Sequence, residues 1–424
     1  MDNLLYFDFE NQYVDLENSL VYPSVSYIKE NDSINFKEKE LLILTATYKI
    51  TEVYEDSEYI AVNDPSLFTK ISINGEEIPF NDGETVYLPN EIGTYTLIGE
   101  LKTNEISDYA FTDAKAMVSV NMPSTITYIG EEAFSYCSLE SIELPSSLTT
   151  IAYFAFNSCD FTEIIIPNTV TSIGEYAFRN CKFEKITIPS SVEYFGKGIF
   201  LFGSIKEVIF EKGSKLKEIK KSSFQSTSLE SIVLPENLEV IGSGVFGECY
   251  NLTSIELPKT LKTIGLDAFS GCESLTNINI PSGIEIIGEN TFGDCTSLTS
   301  VTFDDNSQLK TIGSHAFYNC SMESFIIPDS VTIIGERAFN GCSNLTSINI
   351  PSGVTSIDFE AFAFCESLKT IKSFATTAPS VNNETFLDIT SNGVLYYPSG
   401  SDYSSWMSTN EFYLGYYNWT SQEF

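Results

Sequence analysis

The chain has 424 residues, with 58 acidic side chains against 23 lysines and arginines and a formal net charge of −35. A surface of that sign repels phosphate backbones and anionic headgroups, which argues against nucleic acid and against insertion at an anionic membrane. A hydrophobic fraction of 42% with 13% aromatic residues belongs to a folded chain, and no run of apolar residues is long enough to span a bilayer.

The N-terminus reads Met1-Asp-Asn-Leu-Leu-Tyr-Phe-Asp-Phe-Glu10, with neither a basic start nor an apolar stretch, so no signal peptide is expected. Up to residue 110 there are 22 acidic residues and 6 lysines. Strands are predicted at residues 24–28, 41–48, 59–62, 70–73, 85–88 and 94–98. Asn74-Gly75 is a hairpin turn signal between Ile71-Ser-Ile73 and Ile78-Pro-Phe80. Residues 1–100 therefore read as a small β-rich domain, a sandwich, that serves for attachment or for capping the first exposed repeat.

From residue 101 to 390 one phrase recurs. It is clearest as Leu139-Glu-Ser-Ile-Glu-Leu-Pro145, Leu148-Thr-Thr-Ile151, Ala155-Phe156 and Cys159. A phenylalanine marks the register at 111, 134, 156, 178, 200, 224, 246, 269, 292, 317, 339, 362 and 386, with gaps of 22–25 residues. Self-similarity at this period specifies a solenoid, here of about 13 units, each burying its apolar side only against its neighbours. Polar Ser141 and Glu143 alternate with apolar Ile142 and Leu144, as in a half-buried strand, and Pro145 ends it. The units at Phe210–Leu216 and Phe303–Leu309 replace the proline by a longer turn.

Nine cysteines, Cys137, Cys159, Cys181, Cys249, Cys272, Cys295, Cys320, Cys342 and Cys365, each follow their marker phenylalanine by three residues. Ala114, Gly203, Thr227 and Ile389 fill the position in the other units. Small or apolar substitutes, an odd count and the absence of any C-x-x-C pair point to a structural core slot holding reduced thiols, not to disulfides or metal.

The pattern L-x-x-I-x-I-P-x-x-V-x-x-I-G-x-x-A-F-x-x-C resembles the BspA-like leucine-rich repeat family. The resemblance implies recognition by a repeat surface, as in microbial surface adhesins and phage-encoded relatives, and implies no enzyme. The fold expected is mainly β: a leucine-rich-repeat solenoid, a small N-terminal β domain, and an aromatic C-terminal cap over residues 391–424.

One outward strand position runs the length of the solenoid as Glu143, Ile165, Thr187, Ile209, Val233, Glu256, Asn279, Thr302, Ile326 and Asn349. These residues are expected to line one ladder face, with the apolar members as partner contacts. Beyond Phe386, Gly393–Pro398 reads as a last strand and Asp402–Met407 as a short helix capped by Ser401 or Asp402. Trp406 and Trp419 are expected to plug the column, with a sugar- or protein-binding aromatic patch as the alternative reading of this segment.

His315 is the only histidine, and varied residues occupy its position in other units, so a solvated surface side chain is expected. No phosphate-binding, dinucleotide-binding or zinc-protease motif is present, and no catalytic residue, metal site or cofactor is assigned. The function expected is non-enzymatic adhesion. The carrier favoured from the sequence is a phage virion (fibre, tail or capsid-attached adhesin), with a bacterial cell-surface adhesin as the alternative. Virion proteins would be held through residues 1–100 or the cap, and a host protein or glycan through the ladder. A glycan-active enzyme in the N-terminal β domain is a third reading, which needs a carboxylate pair in a deep cleft.

Overall fold

The structure is a computed structural model that describes residues 42–53 and 58–424 in full. It also describes the backbone of five earlier strands, Phe7–Asp8, Gln12–Asp15, Leu20–Tyr22, Val25–Glu30 and Ser33–Glu38. The first three of these pair antiparallel in sequence order, and the last two form a hairpin. Ser24 and Leu41, at the starts of two predicted strands, lie outside the described residues.

No α-helix occurs among the described residues, and the chain winds as a stack of β turns. One turn shows how. Leu139, Leu144, Leu148, Ile151, Ala155, Phe156 and Cys159 are buried and Ile142 half-buried, while Glu140, Ser141 and Glu143 face out. Successive turns pair in parallel on two sides. On the first, Lys185–Ile188, Glu207–Phe210 and Ser231–Val233 form one run, and Ser324–Ile326, Ser347–Ile350 and Thr370–Ser373 belong to another. On the second side, two-residue rungs such as Tyr128–Ile129, Thr150–Ile151 and Ser172–Ile173 stack in register.

The third side carries the marker phenylalanines. The backbone N–H of each marker phenylalanine from Phe111 to Phe362 donates to the next turn, as Phe134 does to Ala155 O at 2.8 Å and Phe156 to Ala177 O at 2.9 Å. Two residues per turn adopt left-handed backbone, two before and two after the phenylalanine, for example Phe154 (φ 51°) and Ser158 (φ 59°). The glycine of the I-G pair is needed for close approach: a Cβ on Gly265 would lie 2.4 Å from Ser243 N in the turn before it.

Inside, all thirteen marker rings stack in one column. Their centroids are 5.2–6.2 Å apart and their planes within 19° of parallel. These are offset stacks, favourable beyond the area they bury. Phe68 meets the first ring edge-on at 6.3 Å, and Trp406 lies 5.4 Å from the last.

The N-terminal strands join the solenoid directly. Ile43–Ile50 pairs antiparallel with Gly93–Leu101 on one side and with Met117–Asn121, a solenoid strand, on the other. Phe68–Ile73 and Glu76–Glu77 continue this sheet, turning at Asn74-Gly75 with positive φ at both residues. The ribbon Tyr59–Val62 with Val86–Leu88 packs over it, where the Tyr48 hydroxyl donates to Ala61 O. The expected sandwich is thus a lopsided two-layer structure whose main sheet runs on into the repeats. It leaves the first ladder edge paired instead of open.

At the other end, Val394–Tyr397 extends the ladder as expected, and Thr420–Glu423 adds one strand more. The predicted helix at 402–407 is a turn, in which Asp402 accepts from Ser404 N at 2.9 Å. Trp406 and Trp419 are buried, their indole N–H groups donating to Pro379 O at 2.9 Å and Thr390 O at 2.8 Å.

Candidate binding face on the strand ladder

Parallel pairing fixes the outward side chains in columns. Thr187 is opposite Ile209 and Ile209 opposite Val233; Asn279 is opposite Thr302; Ile326 is opposite Asn349. Of the ten ladder positions, Glu143, Ile165, Thr187, Val233, Glu256, Asn279, Thr302, Ile326 and Asn349 are exposed and Ile209 is half-buried. The apolar members stand well clear of the sheet: Ile165 is 84% exposed, Val233 68% and Ile326 76%. Ile165, Ile209 and Val233 fall within four successive turns, with only Thr187 between them, whereas Ile326 stands alone among polar neighbours. The adjacent outward column is polar, and Lys185 pairs there with Glu207 of the next turn at 2.8 Å. Thr302 and Asn279 bond to each other along the ladder at 2.8 Å.

A second outward column escaped the sequence reading. Immediately before the two-residue rungs, the residue after each buried Val, Leu or Ile reads Glu193, Lys217, Glu239, Lys262, Glu285 and Lys310 over six turns, with threonines on either side. Glu239 accepts from both Lys217 and Lys262, at 2.5 and 2.6 Å, and these two donors hold its carboxyl down at about 2. Lys310 lies 3.7 Å from Glu285. Reading down that repeat position, and not along the chain, is what reveals the alternation.

All nine cysteines are buried and free. Each thiol donates to the carbonyl of the marker phenylalanine one turn earlier, Cys159 to Phe134 O at 3.1 Å and Cys272 to Phe246 O at 3.1 Å among them. The slot is therefore a hydrogen-bond rung as well as a packing position, which sequence reasoning missed. Burial pushes the thiols up, that of Cys272 well above its ordinary value and that of Cys342 to about 12. The reactive thiolate is suppressed at neutral pH.

His315 departs from the solvated position expected for it. It is half-buried at φ 54°, its Nδ1 is 2.8 Å from Ser314 Oγ, and its ring is 5.6 Å from that of Tyr318. Its position tolerates varied side chains because the backbone, not the side chain, makes the recurring contact: His315 N donates to Glu336 O at 2.8 Å. Among the described residues no group of three or more His, Cys, Asp or Glu side chains is arranged to hold a metal ion. No helix among them is long and apolar enough to cross a membrane.

The BspA type leucine rich repeat region matches in six copies, at residues 104–227, 217–320 and 310–405. Among solved structures, a leucine-rich repeat protein from Bacteroides ovatus is 24% identical, with 83% of this chain and 94% of that chain covered and a TM-score of 0.41. The pneumococcal vaccine antigen PcpA is 25% identical over 66% of this chain and 81% of its own, with a TM-score of 0.45. A leucine rich cell surface protein from Faecalibacterium prausnitzii is 23% identical over 73% and 86%, with a TM-score of 0.41. None of the curated proteins matches the chain. The repeat match spans well over half of the sequence, and the chain belongs to the BspA-type leucine-rich repeat family.

Proposed function

We propose that the protein is a non-enzymatic recognition protein that binds a host protein or glycan through the outward face of its strand ladder. The observation that carries this reading is the contrast within each turn. Phenylalanine and, in nine units, cysteine repeat unchanged in the core, while the ladder position one strand away changes from Glu to Ile to Thr to Asn and is exposed at all but half-buried Ile209. A purely structural face needs no such variety, and exposed Ile165, Val233 and Ile326 lose nothing in packing if made polar. Family membership supports the reading, since such repeats are typically non-enzymatic and surface-displayed. That typical location favours the bacterial cell surface as carrier. A phage virion, reached from the sequence, is the second carrier, in which residues 1–100 or the aromatic cap would dock to virion proteins.

The test is an array of host glycans and extracellular proteins probed with the full chain and with Ile165→Ser/Val233→Ser/Ile326→Ser. A ligand bound by the parent and lost at least tenfold by the variant, at equal melting temperature, is expected. Undiminished binding by the variant would move the site off the ladder. Surface labelling of intact cells against peptide mapping of purified particles decides the carrier.

A further inference from the structure

The turn side opposite the ladder carries a second surface. The position two residues before the marker phenylalanine is left-handed in every regular turn, and Gly244, Asp267 and Asn290 suit it in later units. In early units it holds Tyr109 (φ 58°), Phe154 (φ 51°) and Tyr176 (φ 57°), and the matching position after the phenylalanine holds Tyr136 (φ 58°) and Phe202 (φ 61°). Bulky side chains carry a steric penalty in this conformation that Gly, Asn and Asp largely escape. Phe154 and Tyr176 are half-buried and stack on each other, but Tyr109 is 42% exposed, Tyr136 46% and Phe202 51%, so at these three burial does not compensate. A local rule broken at exposed Tyr109 and Tyr136, where the ring gains no burial, points to function.

The side chains form one strip, because the turns bond rung to rung: Tyr109 N donates to Glu131 O, Glu132 N to Tyr153 O, and Phe154 N to Glu175 O, at 2.7–3.0 Å. The rings of Tyr153, Phe154 and Tyr176 make three mutual contacts at 4.4–6.0 Å. The surroundings are acidic, with 10 acidic residues against 2 lysines over residues 101–178. Glu131 accepts from the Tyr109 hydroxyl at 2.8 Å. The carboxyl of Glu132 is raised by partial burial and by Glu131 and Asp113 beside it, as expected where negative charge is crowded.

The chain itself shows what these rings take. Lys197 lies 5.7 Å over Tyr176, and Arg179 lies 5.3 Å over Phe202. Among the described residues no lysine or arginine lies over Tyr109, Tyr136 or Tyr153. We propose that this strip, separate from the ladder face, docks a lysine- or arginine-bearing segment of a partner protein, whose cations occupy those three rings as Lys197 and Arg179 occupy theirs.

The probe is a fluorescein-labelled arginine nonamer, titrated into the full chain at two salt concentrations, beside neutral oligosaccharides. Tyr109→Asn/Tyr136→Asn/Tyr153→Ser removes rings but no charge. It should weaken the peptide at least tenfold while the melting temperature holds or rises. Phe364→Asn, an exposed aromatic at the same backbone position near the other end, is the control and should change binding less than twofold. Equal loss in the control would reduce the effect to diffuse attraction and overturn the proposal. A drop in melting temperature in the triple variant would assign the rings to stability and overturn it too. So would unchanged peptide binding, or loss of a neutral oligosaccharide alone. None of these outcomes bears on the ladder residues, so this proposal and the function proposed above fail separately.

Discussion

Replacing Phe269 by alanine tests whether the ring column is what makes the repeats one body. Phe269 is fully buried, 5.2 Å from Phe246 and 5.3 Å from Phe292, with planes tilted by 19° and 9°. Truncating a buried phenylalanine costs about 3–5 kcal/mol in transfer and cavity terms. Two lost ring contacts place this site at the upper end, about 5 kcal/mol. In a solenoid that loss is not shared: stability is a sum of unit and nearest-neighbour terms, so it falls on the two interfaces that Phe269 makes. The only tryptophans, Trp406 and Trp419, sit at the far end of the column and report that end alone, whereas far-UV circular dichroism reports every turn. Urea unfolding of the parent should give coincident transitions by the two readouts, and Phe269→Ala should separate them. Phe269→Leu, which keeps most of the volume, should stay closer to the parent. Coincident transitions in Phe269→Ala with a loss below about 2 kcal/mol would refute the reasoning, since that is less than a truncated core phenylalanine costs.

Three further outcomes rest on particular residues. Thiol titration of the native protein should find no reactive cysteine, because burial pushes Cys159, Cys272 and Cys365 well above the ordinary range; all nine should react after denaturation without reductant, and two or more disulfides would contradict the hydrogen-bonded slot. His315→Gly should leave stability unchanged or raised, while His315→Val should be less stable than His315→Gly by about 1–2 kcal/mol, the usual penalty of a side chain at positive φ, and equal effects would deny that the backbone governs this site. Glu239 is depressed to about 2 by the ammonium groups of Lys217 and Lys262, so its stabilising contribution is complete above the unfolded value of about 4.3 and fades as pH falls towards 2. The gap in urea midpoint between the parent and Glu239→Gln should therefore close between about pH 4.5 and 2, and a gap that widens on acidification would reverse the sign.

The solenoid was legible because its evidence is periodic: one misread residue is outvoted by the same position in a dozen other turns. What lacks repetition was lost. The pairing of Ile43–Ile50 with Met117–Asn121 joins segments nearly seventy residues apart and leaves no local trace, so a sheet shared with the repeats was expected as a separate sandwich. Thr420–Glu423 has no alternation of apolar and polar residues, all four side chains being exposed, and only its ladder bonds make it a strand. The helix expected over 402–407, with Ser401 or Asp402 as its cap, has the apolar spacing of Tyr403, Trp406 and Met407, but it stops at a turn in which Asp402 accepts from Ser404 N. The ladder face was legible as a column, since strand alternation dictates it. Its unevenness was not, because half-burial of Ile209 between exposed neighbours depends on packing across turns.

The uniform core raises a question of register that the surface answers. If one turn skipped its neighbour and packed on the next, phenylalanine would still meet phenylalanine and cysteine would still find a carbonyl, so the interior hardly distinguishes the two arrangements. The alternating column does. Skipping a turn would set Glu193 against Glu239 and Lys217 against Lys262, and like charges directly opposed across a ladder are destabilising. The native order instead places Glu239 between two lysines at hydrogen-bonding distance. The ends act in the same sense. Phe68 and Trp406 terminate the ring column with contacts that no marker phenylalanine makes, and the longer turns at Glu211–Lys215 and Asp304–Gln308 fit one place each. Apolar repetition supplies most of the stability, and the residues that differ from turn to turn decide which turn lies on which. The same division leaves the outward positions free to vary, which is what a recognition face requires.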